Sequence, residues 1–193
     1  MTTTTPDLAP QAAAVSRLVA GVRDDQLTDP TPCADTPVAG LLDHLVGLTQ
    51  AFRLAAEKSP LPGAASASAA DLAPDWRERL PRQLQELVAA WRSPAAWEGN
   101  ALAGGVQLPA AAMGVVALNE VLVHGWDLAV ATGQPYDVDG AAAAACLRFT
   151  VDFAAGAPEA RAGMYGPVVP VPDDAPVLDR LLGQTGRNPS WRP

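Results

Sequence analysis

The segment "ALNEVLVHGWDLAVATG", residues 117–133, sets three ionisable side chains in a run made largely of Ala, Val and Leu. Glu120 and His124 stand at i and i+4, so on a helix they project from one face about one turn apart. Asp127 follows His124 at i+3 and falls near the same face. An unpaired carboxylate in such a helix would lose several kcal/mol on burial. A metal ion shared with the imidazole would offset that loss. The only other histidine is His44, in "GLLDHLVGLTQAF", where Leu41, Leu45 and Leu48 mark a buried face. Two histidines and one glutamate from two facing helices leave a coordination position open for water or substrate, as a catalytic divalent metal requires. The plainer alternative is a pair of satisfied core histidines, one of them hydrogen-bonded to Glu120. Spacing alone leaves both readings open.

Other residues carry weaker signals. Asp127 is the candidate catalytic residue, as an acceptor that orients a ligand or as a proton shuttle; its alternative is a cap or surface salt bridge. Asp43 precedes His44 and is expected to face solvent. Cys33, in the loop before the His44 helix, reads as a small apolar filler rather than a reactive thiol. Trp126 is expected to pack between helices. Arg187, Trp191 and Arg192 make the tail cationic and aromatic, which could close over an anionic substrate but suits surface packing better.

These residues need helices to hold them. Apolar periodicity predicts helices over about Leu8–Val22, Pro37–Glu57, Asp75–Trp91, Pro109–Thr132 and Asp139–Ala155, with a short one near Pro176–Leu182. Thr36 and Pro37 read as N-cap and first position of the second helix. Pro81 implies a late start or kink in the third. Residues 59–70, "SPLPGAASASAA", read as a mobile low-complexity connection. Gly- and Pro-rich residues 93–109 read as a small hairpin or a crossover loop. The fourth helix is apolar nearly all round, as the most buried member of a bundle would be. Together these elements predict an all-α fold over residues 1–193 as a single domain. It is an antiparallel four-helix bundle with one long crossover and a short C-terminal helix and tail.

Bulk properties narrow the partners. The chain has 193 residues, 49% of them apolar and 18% charged, which suits a globular domain with a real core. A net charge of −8 argues against nucleic acid and against an anionic membrane surface. The longest unbroken apolar stretch, Ala110–Leu118, is too short to span a bilayer. With no secretory pattern at the N-terminus and only Cys33 and Cys146, a cytoplasmic location is expected. The oligomeric state is expected to be a monomer or homodimer.

Three blocks, "TPCADTPVAGLLDHLVG", "NEVLVHGWDLAVATG" and "LDRLLGQTGRNPSW", resemble the DinB-like metal-binding superfamily. More narrowly, they resemble its short actinobacterial group, related to the N-terminal domain of mycothiol-dependent maleylpyruvate isomerase. One departure stands in the first block, where Thr36 occupies a position at which relatives commonly carry Trp. The resemblance implies a helical bundle whose His44, Glu120 and His124 hold a divalent metal, zinc first and nickel or ferrous iron next. It also implies mycothiol as a thiol cofactor whose sulfur approaches the metal. The activity implied is a metal-dependent thiol transferase or isomerase acting on a small electrophile. A metal hydrolase that activates water, and a non-catalytic small-molecule-binding or stress-response bundle, are the alternatives.

Overall fold

A computed structural model describes residues 5–59, 68–156, 159, 161 and 164–193. Its helices are α1 (Ala9–Gly21), α2 (Val38–Ala56), α3 (Trp76–Trp91), α4 (Ala110–Thr132), α5 (Gly140–Gly156) and α6 (Val177–Gln184). The fold is all-helical, and among the described residues the one sheet is a small hairpin of strands β1 (Asn100–Ala103) and β2 (Val106–Pro109). The predicted 59–70 connection falls mostly outside the described residues.

The first four helices close into a ring. α1 packs on α3 and α4, and α2 packs on the same two, so α1 and α2 stand on opposite corners. Sequence periodicity explains the seams. Leu41, Leu45, Leu48 and Phe52 of α2 are all buried, at spacings of four, three and four. Leu80, Leu84, Leu87 and Val88 do the same for α3. Each such side chain contributes about 1.5–3 kcal/mol relative to an exposed one. Helix α5 packs on α4, and α6 on α5.

Some expectations need correction. Helix α2 begins at Val38 with Pro37 at its N-cap and no side-chain cap bond. Thr36 is consumed by the preceding turn, where its hydroxyl donates to the Ala34 carbonyl (3.3 Å) and its carbonyl accepts from Thr31 Oγ1 (2.7 Å). Pro81 does not delay α3, which starts at Trp76 and runs through the proline. The 93–109 segment is a hairpin: Ala103 pairs with Val106 across Gly104 and Gly105, whose φ of 56° and 80° suit a tight two-residue turn.

Helix α4 runs 23 residues, longer than its unbroken apolar stretch, and by length and composition alone it could cross a membrane. Here it is sheathed by α1, α2 and α5. Gly125, beside His124, lets α1 and the post-α4 loop close on it. A Cβ there would overlap the Tyr136 hydroxyl and Val15. That hydroxyl donates to the Leu122 carbonyl (2.9 Å) and accepts from Gln11 Nε2 (2.7 Å), tying loop, α4 and α1 together.

Candidate metal centre

His44 of α2 and Glu120 and His124 of α4 converge between the two helices. Glu120 Oε2 lies 3.5 Å from His44 Nε2 and 3.2 Å from His124 Nε2. The imidazoles meet edge to face, with centroids 4.8 Å apart. The three ligand atoms lie within 4.8 Å of one another. For bonds of about 2.1 Å, a tetrahedral zinc site spaces its ligand atoms roughly 3.4 Å apart. Both contacts to Glu120 match that spacing, while the two histidine nitrogens, within 4.8 Å of each other, would draw closer around a divalent cation.

The two histidines are held differently. His124 is buried, and its Nδ1–H donates to Asp127 Oδ2 (3.0 Å). Asp127 is fully buried and takes a forked ion pair from Arg187, Nη2 to Oδ2 at 3.0 Å and Nε to Oδ1 at 3.4 Å. His44, with a side chain 37% exposed, has Glu120 as its one charged partner among the described residues. Burial opposes charge on both Glu120 and His124, but their mutual attraction wins. Hydrogen bonds and charge from His124 and His44 hold the Glu120 carboxyl well below the usual carboxylate range. Asp127 and Glu120, one on each ring nitrogen, push His124 up to about 10.

Arg187 reaches Asp127 because of how α6 ends. Gly186 takes a left-handed φ of 83°, while Arg187 N–H donates to the Leu182 carbonyl (2.8 Å) and Gly186 N–H to that of Gly183 (3.2 Å). This paired C-cap reverses the chain and delivers Arg187 inward. Surface packing, the preferred expectation for Arg187, is therefore corrected. Trp191 packs against the core edge, and Arg192 is exposed. Asp43 also departs from expectation, since its carboxylate accepts the backbone N–H of Ser68 (3.0 Å). Trp126 is buried among the helices, as expected.

A cavity of about 340 Å³ opens on the cluster, lined by His44, Glu120 and His124 together with Cys33, Asn119, Tyr165 and Arg187. Asp127 lies behind the imidazole, outside that lining, and touches the site only through His124 and Arg187. Cys33 is half-buried at the cavity wall. Sequence reasoning passed over Asn119 and Tyr165. Asn119 Nδ2 donates to the Tyr165 hydroxyl (3.2 Å), while its buried Oδ1 has no partner among the described residues. The one available signal was a second polar residue, Asn119, beside Glu120 in an apolar run.

The fold and this cluster place the chain among DinB-like helical bundles. A family model for the mycothiol maleylpyruvate isomerase N-terminal domain matches residues 8–129, and the chain belongs to that family. Two Mycobacterium tuberculosis proteins, the uncharacterized proteins MT0763 and Rv0738 of strains CDC 1551 / Oshkosh and H37Rv, are each 33% identical to it. Each match covers 94% of this chain and 97% of the relative. The crystal structure of a mutant of mycothiol-dependent maleylpyruvate isomerase shares the fold, with a TM-score of 0.55 and 18% identity over 74% of this chain. This chain spans 66% of the length of that one.

Proposed function

We propose that this protein is a metal-dependent thiol-using enzyme, a transferase or isomerase that acts on a small electrophile with a mycothiol-type thiol. The observation that carries this reading is the two-histidine, one-glutamate cluster at the wall of a cavity, in a chain of this family. Two imidazoles and one carboxylate suit zinc first, with nickel or ferrous iron next. A cation held there would supply the charge that keeps a bound thiol as its thiolate, the nucleophilic form.

The chain's own residues do the rest. His44, Glu120 and His124 would hold the cation. Asp127 takes the Nδ1 proton of His124, which fixes the ring and directs Nε2 inward. Arg187 fixes Asp127 in turn. Asn119 Nδ2 holds the Tyr165 hydroxyl at the cavity wall. Burial of His124, Asp127 and Arg187 strengthens the contacts among them.

Metal analysis of the purified protein tests the reading, followed by cobalt substitution and titration with mycothiol. Wild type should hold one divalent ion per chain and His44→Ala none, and the cobalt form should gain a thiolate charge-transfer band. A wild type without stoichiometric metal under any supply would sink it. Metal without a thiol band would point instead to a hydrolase that activates water.

A further inference from the structure

His44, Glu120 and Met164 line a second, larger cavity as well, of about 510 Å³. Its other walls are mainly apolar: Phe52 of α2, Met113 and Val116 of α4, and Val106 and Leu108 of the hairpin. The volume lies within the range of small-molecule sites, about 300–1,000 Å³. Val106 is among the few large apolar side chains left exposed, and it stands at this cavity's wall. His44 and Glu120 thus border two chambers, and the larger is the more apolar.

Gly47 lines the apolar chamber in the middle of α2, one turn beyond His44. Glycine inside a helix loses about 0.5–1 kcal/mol relative to alanine. Among the described residues nothing in the packing demands it, because a Cβ at Gly47 would meet none of their atoms within 4 Å. What the missing side chain leaves is open volume beside His44.

The charges select further. Asp43, Asp71 and Arg79 line this chamber in addition to His44 and Glu120. Asp43 is engaged by the Ser68 N–H, and Asp71 is exposed. Arg79 is half-buried and forms no ion pair among the described residues. A partly desolvated guanidinium without a carboxylate favours one anionic group on a ligand. With Asp43, Asp71 and Glu120 in the same wall and Arg79 the one guanidinium, a second negative charge on the ligand would be repelled.

We propose that the apolar chamber receives the second substrate, an apolar electrophile with a single negative charge. Its anionic group meets Arg79, and its apolar body lies over Gly47, Phe52 and Val116. The proposal rests on the reading of the cluster as a reaction centre, and it names the substrate class of that centre.

Calorimetric titration with 4-phenylbutyrate tests it, with adipate and 4-phenylbutylamine as charge controls. Wild type should bind 4-phenylbutyrate saturably, and both controls about tenfold more weakly or worse. Gly47→Leu, which fills the chamber, and Arg79→Gln should each weaken 4-phenylbutyrate about tenfold. Gly47→Leu should keep the melting temperature and metal content of wild type, which separates filling from misfolding. No saturable binding, unchanged binding by Gly47→Leu, or equal binding of adipate or the amine would overturn the proposal. If metal and the cobalt–thiol band are present while Gly47→Leu is without effect, the chamber fails alone. If 4-phenylbutyrate binds as described to a protein that takes no metal, the reaction-centre reading fails alone.

Discussion

His124 and His44 face the same glutamate from opposite helices, yet they are built into the protein in different ways. His124 sits at the end of a chain of charges, Arg187 to Asp127 to imidazole, with every member largely buried. His44 is partly open, and both cavities reach it. One side of the centre is therefore pre-organised, with its ring orientation fixed before anything binds. The other is partly exposed, and Glu120 is its one charged partner among the described residues. The difference locates stability on the α4 side and access on the α2 side.

Removing the α4-side carboxylate should have the largest effect. Asp127→Ala leaves Arg187 inside without its partner, and we expect a loss of about 3–5 kcal/mol in urea unfolding of the metal-free protein. Stability within about 1 kcal/mol of wild type would mean that Arg187 swings out to solvent, and the contrast between the two sides would fall. A milder change sharpens the same contrast. Asp127→Asn keeps the shape but loses the negative charge behind His124, and zinc affinity measured by chelator competition should fall roughly 10–100-fold. The smallest effect is expected on the open side. His44→Ala should change the unfolding free energy of the metal-free protein by no more than about 0.5 kcal/mol, because its ring is partly exposed. A large destabilisation by His44→Ala would make His44 a packing residue.

Much of this arrangement was legible in the residues. Helical spacing placed Glu120, His124 and Asp127 on one face, and the lone remaining histidine pointed to α2 as the facing element. Periodicity located the helices to within a residue or two, since apolar spacing reports burial directly. Other features stayed hidden because they depend on distant contacts. Arg187 looked like a surface cation, since nothing local says that the α6 C-cap turns it inward onto Asp127. Asn119 and Tyr165 are 46 residues apart and acquire meaning only where they meet. Thr36 looked like a helix cap, but its preceding turn competed for the same hydroxyl and won.

Sequence by itself determined the helical class, the family blocks and the three side chains able to share a cation, because period and residue chemistry are local properties. Tertiary structure alone decided which histidine is locked and which is open. It also decided that Asp127 is tied to the tail, and that one cluster borders two chambers. These follow from how α2, α4, the hairpin and the tail meet, and cavities and buried ion pairs exist only between elements that fold together.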